Sequence, residues 1–237
     1  MKKIFLLGAS SDIGLETTKL FLENNWEVTA HYNSSSKTLK LMKKKFKNLH
    51  LIKFNLKKIT QLETFVKKNK FYLGKFDCFV SLTGYLKHVN FKNFKIKEFY
   101  DHLNVNYFSN LIIIREILKG MEKRKYGRIL LSSSIGTKFG GGPNSFAYSL
   151  SKFNNEFFPS YYKNLTKKNI LINTLQIGVT DTKIHKNLPK KNLKQRVKLI
   201  PIKRMARTKE VADYIFFLSS SENTLLSRTV LNISGGE

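Results

Sequence analysis

The sequence predicts a single α/β domain, a doubly wound, seven-stranded parallel sheet with helices on both faces. Three observations predict it. Short apolar runs alternate with longer amphipathic stretches from end to end, the pattern of βα units. The first apolar run passes directly into a glycine turn and then a helical pattern. The 237 residues carry no repeat and no linker, so one domain spanning 1–237 with a full core is expected.

Lys3-Ile4-Phe5-Leu6-Leu7 reads as a short buried strand. Gly8-Ala9-Ser10-Ser11-Asp12-Ile13-Gly14 follows as a turn, and Leu15, Thr18, Leu20, Phe21 and Leu22 follow at helical spacing. Strand, glycine turn and helix in that order aim backbone N–H groups and a helix N-terminus at a phosphate. Further strands are expected near 26–31, 49–54, 76–81, 127–133, 170–176 and 229–232, with helices between them. The longest helices are expected around 98–124 and 147–168, with Pro159 kinking the second or tolerated at its surface. Gly140-Gly141-Gly142-Pro143-Asn144 is flexible by composition. The stretch from Thr180 to about Arg204, with Pro189, Pro201 and many lysines, has no clear periodicity and reads as a lid over a substrate pocket.

Composition narrows the function classes. Hydrophobic content of 41% with 13% aromatics argues against disorder. Cys78 is the sole cysteine, so an internal disulfide is excluded and a reducing, cytoplasmic setting is expected. The apolar run after Met1 is too short for a signal peptide, and no stretch approaches the length of a membrane span. No metal-ligand spacing stands out. Lysine and arginine number 43 against 16 acidic residues, a formal charge of +27. The surplus is spread along the chain, as in Lys43-Lys44-Lys45, Lys67-Lys68 and Lys190-Lys191, and no DNA- or RNA-binding motif accompanies it. Weak, salt-sensitive sticking to nucleic acid is expected rather than specific binding. The same charge attracts acidic partners, phosphorylated cofactors and an acidic carrier protein among them.

The chemistry concentrates around Tyr148 and Lys152, four residues apart, with Ser134 a short loop upstream. On a helix this spacing stacks the two side chains on one face. A free phenol has a pKa of about 10 and transfers protons poorly at neutral pH. A cation about 4 Å away lowers it by a couple of units. A Tyr and a Lys at this spacing are by themselves more often a plain helix face.

Together these residues resemble the short-chain dehydrogenase/reductase family, and the resemblance covers essentially the whole chain. It rests on the glycine turn, Asn106 in Leu103-Asn104-Val105-Asn106-Tyr107, and Ser134 closing Arg128-Ile129-Leu130-Leu131-Ser132-Ser133-Ser134. Tyr148, Lys152, Gly84, Asn173, Gly178, Thr182 and the closing Leu231-Asn232-Ile233-Ser234-Gly235-Gly236 complete it. The stretch from Lys123 through Lys152 looks most like 3-oxoacyl-[acyl-carrier-protein] reductases of fatty acid biosynthesis, although sugar and steroid dehydrogenases share the motifs. The resemblance implies a Rossmann-type fold and the interconversion of a carbonyl and a secondary alcohol with a nicotinamide dinucleotide. It implies that Ser134 polarises the carbonyl, Tyr148 supplies the proton and Lys152 lowers the phenol pKa while holding the nicotinamide ribose. Asn106 would position a water relaying protons to Lys152. Gly8, Ser10, Ser11, Asp12, Ile13 and Gly14 would cradle the pyrophosphate. Asn33 and Ser34 would lie at the adenosine ribose, Asn55 near the adenine, Leu56 and Gly84 elsewhere along the cofactor, and Val179 and Thr182 at the carboxamide. Phe139, Phe146, Ile177 and His185 would line the substrate pocket. Lys125 and Lys168 fall where carrier-binding members place basic residues, and a homotetramer is implied by analogy.

The departures are specific. Asp12 stands where the family has its middle glycine, and is expected to cap the helix and point away from phosphate. Leu7 replaces a Thr, Ser81-Leu82-Thr83-Gly84 an Asn-Asn-Ala-Gly stretch, Ile177 a Pro, and Asn55 an acidic residue. After the second strand no Asp or Glu stands near Tyr32, while Ser34, Ser35, Ser36 and Lys37 are at hand. That favours NADPH, with NADH an alternative. The alternatives are a dehydrogenase or reductase of sugars in surface-polysaccharide synthesis and, from a different class, a catalytically silent dinucleotide-binding protein.

Overall fold

The computed structural model describes residues 1–183 and 190–237. Seven parallel strands lie in the order β3-β2-β1-β4-β5-β6-β7. They are β1 Lys3–Leu7, β2 Glu27–Tyr32, β3 Leu49–Lys53, β4 Cys78–Ser81, β5 Gly127–Ser134, β6 Ile170–Ile177 and β7 Val230–Ile233. Each lies within two residues of its expected bounds. The helices are α1 Asp12–Glu23, α2 Lys37–Lys45, α3 Ile59–Lys68, α4 Lys70–Leu73, α5 Ile96–Leu103, α6 Ser109–Arg124, α7 Phe146–Phe153, α8 Tyr161–Thr166, α9 Lys190–Leu199 and α10 Thr208–Ser219.

Both sheet faces are covered, which is why the strands read as near-continuous apolar runs. Along β1, Phe5 and Leu7 face one core with Phe79, Ile113, Ile117 and Ile129. Ile4 and Leu6 face the other, with Phe21, Val28, Val80 and Ile215. Alternating side chains thus feed two separate cores. Between β1 and β4 the strand order reverses direction, which opens a crevice beyond their C-terminal ends.

Three expectations about elements are corrected. The first long helix is realised as α5 and α6 joined through a π turn at Asn104–Phe108, starting at Ile96. The second, expected over 147–168, breaks after Phe153. Asn154–Glu156 form a 3₁₀ turn and Phe157 is extended, so the break precedes Pro159 instead of kinking at it. Its cause is Asn155, whose buried amide donates to the carbonyls of Asn106 and Ser132 and whose own carbonyl accepts from Thr174. The segment from Thr180 to Arg204 is not irregular throughout. Thr180 bridges Ala206, and α9 is helical. Pro189 and His185 lie outside the described residues.

Candidate active site

The crevice is a cleft of about 390 Å³ lined from the ends of β1, β4, β5 and β6. Its floor is set by the glycine turn. Gly8 has φ +80°, and a Cβ there would meet the Leu82 carbonyl at 2.9 Å. A Cβ on Gly14 would lie 2.5 Å from the Gly8 oxygen. Only glycine lets the turn pass this close to β4 and lets α1 pack on the turn. Ser11 is the N-cap, its Oγ accepting from Gly14 N at 3.0 Å. The amides of Asp12 and Ile13, at the cleft wall, lie in the helix's first turn, where no intrahelical acceptor reaches them. Two such donors at a helix N-terminus fit a phosphate.

Asp12 does not cap the helix, contrary to expectation, because Ser11 already does. Its carboxylate reaches across the cleft to the segment after β6, accepting from Lys183 N at 2.7 Å and lying 3.5 Å from Lys183 Nζ. The charge is thereby tied to the opposite wall instead of standing alone beside a phosphate.

A residue that sequence reasoning passed over braces the same turn. His31, 2% exposed on β2, accepts from Gly8 N through Nδ1 at 3.3 Å. Its Nε2–H donates to Phe54 O at 3.0 Å. Burial pushes its pKa down to about 4, so the ring is neutral and the tautomer is fixed by its two partners. A histidine within a buried strand, one residue from its end, was the available signal.

On the opposite wall Tyr148 rises from α7 toward Ser134 at the end of β5. Burial raises the phenol above its usual range, and the Ser134 hydroxyl beside it draws it partly back. Ser134 Oγ also accepts from Gly136 N at 3.2 Å, which fixes its rotamer. Lys152 is on the same helix face, yet its ammonium is not applied to the phenol as expected. Nζ donates to Thr83 O and to Ser132 Oγ, each at 2.8 Å, and burial pushes its pKa down to about 7. Two acceptors, one in the loop after β4 and one on β5, outcompete one phenol.

Asn106 is fully buried beneath the cleft and does not line it. Its Oδ1 accepts from Tyr85 N at 2.8 Å, and its Nδ2 donates to Tyr85 O at 3.0 Å and to Ser151 Oγ at 2.9 Å. The carbonyl takes the side chains of Asn110 and Asn155. The amide thus ties the β4 exit loop to α7, with both of its side-chain groups engaged in hydrogen bonds. A second buried knot holds the end of β5, where Glu156 accepts from Ser133 and Thr137 at one oxygen.

Of the other expected cofactor contacts, Ser10, Ser11, Asp12, Ile13, Gly84 and Thr182 line the cleft. Asn33 and Ser34 stop one residue short, and Ser35 lines it instead. Asn55 is turned inward on its own loop, accepting from Lys57 N at 3.0 Å. Leu56 is packed in the core, and Val179 is buried between lining residues Gly178 and Thr180. Ile177 lines the cleft, while Phe139 and Phe146 do not. Lys125 and Lys168 precede β5 and β6, at the end of the sheet opposite the cleft, and Lys168 is paired with Glu122 at 2.8 Å. A larger cavity of about 780 Å³ lies against β7 and α10, but neither the glycine turn nor the Ser-Tyr-Lys group reaches it. Among the described residues no cluster of His, Cys, Asp or Glu could hold a metal ion, and no helix is long and apolar enough to cross a membrane.

A phosphate cradle at the switch point of a parallel sheet, opposite a Ser-Tyr pair with a buried lysine, defines a dinucleotide-dependent oxidoreductase site. The family model for short chain dehydrogenase matches residues 2–193, and the chain belongs to the short-chain dehydrogenase/reductase family. It is 27% identical over 242 residues to a 3-oxoacyl-[acyl-carrier-protein] reductase of Buchnera aphidicola, covering 99% of this chain and 97% of the relative. It is 25% identical over 240 residues to a 3alpha-hydroxysteroid dehydrogenase of Mediterraneibacter gnavus, covering 99% and 96%. Among solved structures, that of ElxO with NADP bound superposes with a TM-score of 0.86 over 99% of this chain and 98% of that one, at 23% identity.

Proposed function

We propose that this chain reduces a ketone to a secondary alcohol with NADPH, acting on a 3-oxoacyl thioester. The observation that carries the reading is the neighbouring Ser134 and Tyr148 hydroxyls lining a cleft whose other wall fits a pyrophosphate. The nicotinamide, when bound, supplies the hydride. Ser134 donates to the substrate oxygen and polarises it, and Tyr148 delivers the proton to that oxygen. Lys152, buried beside them, would hold the ribose side of the cofactor. Thr180 and Thr182 offer hydroxyls at the carboxamide end.

The open turn after β2, with hydroxyls at Ser34 to Ser36 and Lys37 and no carboxylate, supports NADPH over NADH. The acyl substrate is supported by the names of the most similar curated relatives, and the net charge of +27 suits an acidic carrier protein. Lys125 and Lys168 stand too far from the cleft of their own chain to serve its mouth. Exposed Leu150, Phe153, Phe157 and Tyr161 on and after α7 support association of copies through that face into a homotetramer. The lone, buried Cys78 supports a cytoplasmic setting. A silent dinucleotide-binding protein is the second reading, favoured by the Asp12–Lys183 contact across the cleft.

The test is turnover of purified protein with NADPH and with NADH against an acetoacetyl thioester, a keto sugar and a 3-oxosteroid. Thioester reduction with NADPH is the expected result. NADPH binding without turnover of any of them would leave the silent reading.

A further inference from the structure

Tyr148 and Lys152 climb α7 by four residues, a rise of about 6 Å. Ser134 and Ser132 lie two residues apart on β5 and so share one face of the strand, about 6.6 Å apart. The two spacings match, so helix and strand meet in register. Ser134 addresses Tyr148, and one rung below Ser132 Oγ accepts from Lys152 Nζ at 2.8 Å. Ser133, between them, faces away and is spent on Glu156. Ser132 and Lys152 are 5% and 2% exposed, yet both contribute to the cleft wall. An ammonium has three N–H donors. Thr83 O and Ser132 Oγ take two, which leaves one for the cleft.

We propose that Ser132 is a positioning residue of the reaction, acting through Lys152: its hydroxyl fixes the ammonium's rotamer, keeps it protonated and aims its remaining N–H into the cleft. The inference rests on the reductase reading above. With Ser132 gone, Nζ would have one fixed acceptor and could turn about it. Loss of an acceptor also disfavours the charged form. No carboxylate approaches Lys152 among the described residues to replace it, and burial alone already holds its pKa near 7.

The test compares Ser132→Ala, and the near-isosteric pair Ser132→Thr and Ser132→Val, with the parent protein. With NADPH and the acetoacetyl thioester, Ser132→Ala is expected to lower kcat about tenfold and leave KM within about twofold. The limb on which activity is lost with rising pH should move down by about half a unit to one unit. Ser132→Thr should stay within about threefold of the parent, whereas Ser132→Val should follow Ser132→Ala. NADPH affinity, read by nucleotide fluorescence from about pH 6 to 9, should show the same displacement without turnover. Equal behaviour of the Thr and Val variants, or an unmoved midpoint of affinity, would overturn the role of Ser132. A parent protein that binds NADPH but reduces nothing would count against the reductase reading, and the affinity midpoint would still decide Ser132.

Discussion

Tyr148 and Ser134 stand together at the wall of the cleft. Beside the Tyr148 phenol stands the Ser134 hydroxyl, whose rotamer is fixed by the Gly136 amide. Removing the phenolic oxygen removes the proton donor and leaves the phosphate cradle on the far wall intact. Tyr148→Phe is therefore expected to lower kcat by about 10²–10⁴ while NADPH affinity changes little, measured by turnover and by fluorescence titration. Unchanged turnover would remove Tyr148 from the chemistry. His31 gives a second prediction at the same scale. Its ring is neutral in the fold down to about pH 4 but takes a proton below about 6.5 when unfolded. Between those values the unfolded chain holds more protons, so stability falls as pH drops through that window, by on the order of 3 kcal/mol. Urea midpoints measured across it should show this slope, and His31→Gln should flatten it. Ser134 and Tyr148 were legible in the sequence because spacing fixes which helix and strand face they occupy. The seat of Lys152 was not, because its long stem lets burial and two acceptors choose its rotamer. Asp12 was misread for a similar reason, since its partner lies 171 positions away.

At the scale of elements, the strands were legible because parallel strands buried on both faces must be apolar throughout, and Gly8 and Gly14 marked the turn. The break in the helix after Phe153 was not, because it follows from Asn155 bonding three distant elements, not from Pro159. The start of β5 shows another such hidden knot. Arg128 is 2% exposed and has no carboxylate partner among the described residues. It donates instead to the carbonyl oxygens of Gly127, Asn169, Ser220 and Asn223. One guanidinium thus ties β5 to the loop before β6 and to the turn after α10. Arg128→Met would take a donor from the carbonyls of the buried residues Gly127, Ser220 and Asn223, and is expected to cost about 2–4 kcal/mol in urea unfolding. Arg128→Lys should recover only part of that, because three donors on a point charge cannot span a fork built for five. A loss below about 0.5 kcal/mol would show that water replaces the guanidinium.

The whole molecule is dominated by its charge. An excess of 27 positive charges destabilises the compact state through self-repulsion and draws anions to any concave site. The cleft is such a site, with a helix N-terminus at its base and a turn after β2 that carries Lys37 but no carboxylate. A ligand bound only by the folded chain stabilises it by RT ln(1 + [L]/Kd), about 2.7 kcal/mol at a hundredfold excess over Kd. For a chain of this length that corresponds to a rise in Tm of about 5–10 °C. NADPH carries a phosphate that NADH lacks, so at equal concentration it should give the larger rise. Added salt should screen the self-repulsion and raise Tm of the free protein, and at the same time weaken attraction of the extra phosphate. The difference between the two nucleotides should therefore shrink as NaCl rises from about 50 to 500 mM, across which the Debye length falls well below 10 Å. Thermal melts with each nucleotide at both salt concentrations measure this directly. Equal shifts for NADPH and NADH at low salt would show that the positive surface does not read the phosphate, and would place the cofactor preference elsewhere than in the turn after β2.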